Sequence, residues 1–174
     1  MNFLSLLRSQ TTSDEIRNLE DISLAVFAIL SLLIVGASLV LAIVIEKDMI
    51  ITPCVMAGLI GSATAALLSA LQRRASGWEL EDGSKVPVVK EKDSEASKER
   101  FNLRMAPYFL FRPFLGIIAG LIVYYGSDFL FTPAKPNDGF DLETWIFFSL
   151  LAGLFAKTLI EILKGMFKAV FGRG

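Results

Sequence analysis

The stretch "SLLAGLFAKTLIEILKGMFKAVFG" starts as lipid-soluble helix and then carries Lys157, Glu161, Lys164 and Lys168. Amines and a carboxylate at this spacing can form ion pairs, grip anionic headgroups, or line a wet path for ions. At about 100° per residue the four charges fall in a sector of about 60°, and stepping back by fours adds Gly153 and Ser149. Ser149, Gly153, Lys157 and Glu161 are therefore a candidate polar stripe or pore lining. With Trp145 as an interfacial anchor, Lys157 lies about 18 Å along the axis, inside a hydrocarbon core of about 30 Å. Three readings of the stripe stand: an amphipathic exit with Lys157 snorkelling and Lys164 and Lys168 as interfacial anchors, an ion pair inside the bundle, or a vestibule around an oligomer axis.

Other chemistry is sparse. Histidine is absent, which removes the commonest general base and metal ligand. The single cysteine, Cys54, beside Pro53, reads as a small buried hydrophobe. No HExxH, paired CxxC, glycine-rich phosphate loop or GxSxG occurs. The expectation is no catalytic residue, cofactor or metal, hence no enzyme, and no nucleic-acid partner.

The elements that must position these residues are set by composition. Apolar residues make up 53% of the chain and the mean hydropathy is +0.57. They collect in blocks at Ile22 to Ile45, Ile50 to Leu71, Pro113 to Phe131 and Trp145 to Ile162. A span needs about 20 apolar residues, so an all-α membrane fold is expected, with four transmembrane helices in a packed bundle. The first block is too long for the apolar region of a secretory signal, and no A-x-A cleavage site follows at its end. Basic residues gather before the first span, between the second and third, and after the fourth. Both termini are therefore expected in the cytoplasm. The expected organisation is a cytoplasmic segment at 1–20, a hairpin of two spans at 21–72, a cytoplasmic connection at 73–106, a second hairpin at 107–163, and a basic amphipathic tail at 164–174.

Packing signals are strongest in the second span. Ala57, Gly61, Ala65 and Ser69 recur every fourth residue beside Gly58, Ser62, Ala66 and Ala70. Small residues let helix backbones approach where lipid supplies no hydrophobic drive for association. Gly116 and Gly120 form one GxxxG in the third span. There, Pro113 suggests the first helical turn, which would leave Arg112 at headgroup level as an interfacial anchor. Ser13 is a candidate N-cap for the first helix, and Asp141 or Thr144 for the fourth.

In the cytoplasmic connection, "GWELEDGSKVPVV" alternates Trp78, Leu80, Val86 and Val88 with polar residues around Asp82-Gly83, a hairpin-turn dipeptide. A small β-hairpin is possible there, and these four residues are candidates for partner docking. A solvated helix is expected after it, from Asp93 or Ser94. The leading functional expectation is a homo-oligomeric membrane protein that anchors or scaffolds a soluble cytoplasmic partner. The alternatives are a homo-oligomeric ion channel or pore-forming effector and, behind it, a small transporter. Membrane lipid is the expected solvent, and a bacterial inner membrane the expected location.

Overall fold

The computed structural model describes residues 3–45, 50–80, 83–86, 100–130, 141–158 and 161–162 of the chain. They are mostly helical. Helix α1 spans Phe3–Val44, α2 Ile51–Ser76, α3 Ala106–Leu130 and α4 Leu142–Leu154. A two-stranded antiparallel sheet, β1 (Trp78–Glu79) and β2 (Lys85–Val86), follows α2, and a 3-10 turn over Leu103–Met105 leads into α3. Three helices are long and apolar enough to cross a membrane.

The fourth apolar block differs from its expectation. The helix from Leu142 ends at Leu154, with Phe155 at φ −99 and ψ 15, and helical turns recur at 156–158 and 161–162. At 1.5 Å per residue, thirteen residues reach about 20 Å, short of a full core. The interruption falls two residues after Gly153, a poor helix former.

Helix α1 also starts earlier than Ser13. Nothing between residues 3 and 13 is Gly or Pro, so no breaker opposes helix there. Asp141 occupies the N-cap position of α4, where its backbone carbonyl takes the Thr144 amide at 2.9 Å while its side chain makes no capping bond. In α3, Pro113 lies inside the helix rather than at its start. A proline withholds one amide hydrogen bond, and membrane helices tolerate that loss where neighbouring groups supply hydrogen bonds.

The chain divides into two compact units. One comprises Met1–Leu30 and Leu67–Leu110, the other Ser31–Ala66 and Phe111–Gly174. In the first, α2 ends at Gly77, whose φ of 108 suits a residue without Cβ and turns the chain into β1. Trp78 pairs with Val86, and Gly83, at φ 79, helps close the turn with its amide on the Leu80 carbonyl at 3.0 Å. Phe101 runs along the other side of β1: Glu79 N donates to Phe101 O at 3.0 Å and Phe101 N to Gly77 O at 3.1 Å. Its fully buried ring stacks on Phe109 at 6.0 Å and meets the edge of Trp78 at 5.9 Å.

In the second unit the core is made of small residues. Ala57, Ala63 and Ala66 are fully buried, as are Ser62 and Cys54. The α1 residues of this unit bury little: Ala37 is its only core position between Ser31 and Val44, and Leu32 is 76% exposed.

Candidate functional sites

The first unit carries a cleft of about 410 Å³, within the range of ligand pockets. Glu15 and Asn18 reach it from α1, Glu79 from β1, and Asn102 and Arg104 from the turn before α3. Leu19 and Leu80, both buried, supply apolar lining. Asn102 organises one wall. Its amide donates to Glu79 Oε2 at 3.2 Å, and its Oδ1 accepts from Met105 N at 3.0 Å, capping the 3-10 turn. The Glu79 carboxylate is thus aimed by a side chain that is itself fixed to the backbone.

Arginines brace the aromatic core of the same unit. The Arg74 guanidinium lies 5.4 Å from the Phe27 ring centre and 6.0 Å from Trp78, and it pairs with Glu20 at 3.5 Å. Arg73 lies over Phe109 at 5.9 Å, and Arg100 Nε donates to the Ser76 carbonyl at 3.2 Å. This last bond satisfies one of the carbonyls that every helix leaves open at its C-terminus. Trp78 and Leu80, read from sequence as docking residues, are only 6% and 5% exposed. Their surfaces are spent on Phe101, Arg74 and the cleft floor, so the part of this region open to a partner is the polar rim. Val86 is half-buried, and Val88 lies outside the described residues.

The second unit is built on backbone contact. A Cβ added at Gly58 would overlap the Gly116 carbonyl oxygen and come within 3.0 Å of Gly120 N. One added at Gly153 would overlap the Gly58 carbonyl oxygen, and one at Gly61 the Leu150 carbonyl oxygen. At Gly120 it would stand 2.5 Å from the Cys54 carbonyl oxygen. Helix α2 therefore touches α3 and α4 through main chain. From sequence, Gly58 stood only in the accompanying stripe, and Gly153 belonged with the charges; nothing in one helix's periodicity reveals which glycine faces which neighbour. Of the remaining stripe residues, Ala57 is buried, while Ala65 and Ser69 are half-buried.

Arg112 is held inside this unit. Its Nη1 donates to the Ala65 carbonyl at 3.4 Å, while Ser62 Oγ donates to the Arg112 carbonyl at 2.7 Å. Ala65 is fourteen residues past Ile51, about 21 Å along α2 at 1.5 Å per residue, so the guanidinium meets α2 backbone inside the span. The two bonds run in opposite directions between α2 and α3 beside Pro113. Trp145 lies 6.1 Å from Tyr124, which in turn meets Tyr125 at 4.9 Å, an aromatic group of the kind found at membrane boundaries.

The polar stripe divides at Phe155. Ser149 and Gly153 are buried, the former beside the Cys54 thiol, and the Ser149 hydroxyl meets no nitrogen or oxygen partner among the described residues. Lys157 and Glu161 are exposed and lie 3.9 Å apart. Lys164 and Lys168 fall outside the described residues. Among the described residues, no group of three His, Cys, Asp or Glu side chains could hold a metal ion. No protein-family model matches the chain, and no curated protein or solved structure matches it either.

Proposed function

We propose that this chain is a four-span integral membrane protein, its fourth span continued past Phe155 by the helical residues at 156–158 and 161–162, that assembles as a homo-oligomer and anchors a soluble partner at the cytoplasmic face of the membrane. Both termini lie in the cytoplasm, where the basic residues of the Arg73 to Arg104 connection meet anionic headgroups. A bacterial inner membrane suits the short loops and the single cysteine. The observation that carries this reading is the folded polar cleft between Glu15, Glu79 and Arg104, on a chain otherwise composed for lipid. A flexible linker would need no aromatic core, no buried Trp78 and no amide aiming a carboxylate. Conduction is the less favoured alternative because burial of Ser149 and Gly153 uses up half of the stripe a pore would need.

The test is photo-crosslinking in cells, with a benzophenone side chain at Asn18 or Arg104 on the exposed cleft rim, and at Leu32 as the control. A discrete adduct at both rim positions, absent at Leu32 and abolished by Glu79→Lys, is expected. Equal adducts at all three positions, or none at the rim, would remove the docking role.

A further inference from the structure

The carboxylates of the first unit are not all used in the same way. Glu20, on the same helix as Glu15, pairs with Arg74 at 3.5 Å. Glu79 is half-buried on β1, and among the described residues its carboxylate meets a neutral side-chain partner, the Asn102 amide at 3.2 Å. A carboxylate can accept about four hydrogen bonds, so one amide leaves most of that capacity to a ligand. Asn102 is itself tied down, its Oδ1 accepting from Met105 N at 3.0 Å. The acceptor is therefore in place before any ligand arrives.

Charge and shape decide which ligand fits. Glu15 reaches the cleft from α1 and Glu79 from β1, so two carboxylates from separate elements share a space of about 410 Å³ with a single guanidinium, the exposed Arg104. That balance disfavours an anionic headgroup, basic though the surrounding connection is. A metal ion is not served either: among the described residues no three His, Cys, Asp or Glu side chains come together. An organic cation with an apolar stem is what remains, since the buried Leu19 and Leu80 line the same space and Asn18 and Asn102 add carboxamides. A lysine or arginine side chain has that form. Its methylenes lie along apolar surface while its head donates to carboxylates, and the planar fork of arginine does so through two parallel bonds.

We infer that the cleft binds a basic side chain, an arginine or lysine of the soluble partner, with its cation between Glu79 and Glu15 and its stem against Leu19 and Leu80. This rests on the docking reading of the cleft and names what is recognised there. Glu79 is the principal contact, because a carboxylate already held by Asn102 loses little freedom on binding.

Peptide binding to the full chain in phosphatidylcholine nanodiscs tests the inference, since a zwitterionic bilayer does not itself gather cations. The probe is a short fluorescent peptide with one arginine between leucines, its ends blocked, and its neutral twin carries citrulline in place of the arginine. Saturable binding of the arginine peptide is expected, about tenfold tighter or more than that of the twin, as the loss of one charge-assisted hydrogen bond dictates. Glu79→Gln keeps an acceptor for Asn102 but removes the charge, and it should abolish the preference for arginine. Asp21→Asn, an exposed α1 carboxylate outside the cleft lining, should keep it. Tryptophan emission and helical signal check the fold of each variant; were Glu79→Gln to disturb either, Glu15→Gln takes its place with the same expected loss. Equal affinity for the two peptides, no saturable binding of either, or a preference that survives loss of the carboxylate overturns the cation site. The rim adducts at Asn18 and Arg104 decide the docking reading separately. Adducts that persist beside any of those results leave docking intact and the basic side chain overturned, and their loss overturns both.

Discussion

The two compact units are held together by opposite means. Around Trp78 the chain is joined by what its side chains present: stacked rings, guanidinium groups over aromatic faces, and an amide shared between a carboxylate and a helix cap. Around Gly58 it is joined by what is missing, since main chain meets main chain at Gly58, Gly61, Gly116, Gly120 and Gly153. Where water is the solvent, large buried rings supply the drive. Lipid offers no such drive between helices, and close dispersion contact replaces it. One unit should therefore fail when atoms are removed, the other when atoms are added.

The largest effect expected from this contrast is at Gly58. Gly58→Leu places a side chain where the Gly116 and Gly153 backbones already sit, and the loss should exceed about 3 kcal/mol, the upper end of ordinary overpacking. Thermal melting in detergent should show no cooperative transition. Gly36, with nothing within 4 Å of its Cβ position, is the matched control, and Gly36→Ala should melt within a few degrees of wild type or above it. Equal melting of the two variants would break the comparison.

Next in size is Phe101→Ala, which removes the ring between Trp78 and Phe109 and should cost about 3 kcal/mol. In a Trp145→Phe background, Trp78 emission should shift to the red while the helical signal persists. An unshifted spectrum would mean that the ring is not what seals this unit.

The smallest effect is at Ser62. Ser62→Ala removes one interhelical hydrogen bond to the Arg112 carbonyl, and bonds of this kind average about 0.6 kcal/mol and reach about 1.7 in membrane proteins. A modest drop in melting temperature is expected. A loss as large as that of Phe101→Ala would show that the second unit depends on polar links more than on backbone contact.

Much of the helical architecture was legible because hydropathy and length are local properties: the first three apolar blocks correspond to helices long enough to span. The hairpin around Gly83 was legible for the same reason, through turn chemistry and alternation. Three features were not. Pro113 reads as a helix start because it lacks an amide, yet the chain from Ala106 continues through it beside a Ser62 hydroxyl fifty residues away. The cleft joins α1, β1 and the turn before α3, and no single stretch of sequence announces it. The stripe from Ser149 to Glu161 assumed one uninterrupted helix, and the change at Phe155 separates its buried half from its exposed half.

Gly58 has a further bearing on motion. Its carbonyl oxygen is the point against which both Gly116 and Gly153 are seated. Side chains can re-rotate to absorb a sliding helix, but three bare backbones have no rotamers to spend. A displacement of α4 or α3 along α2 at this crossing is therefore borne by main chain rather than by rotamer changes at these glycines.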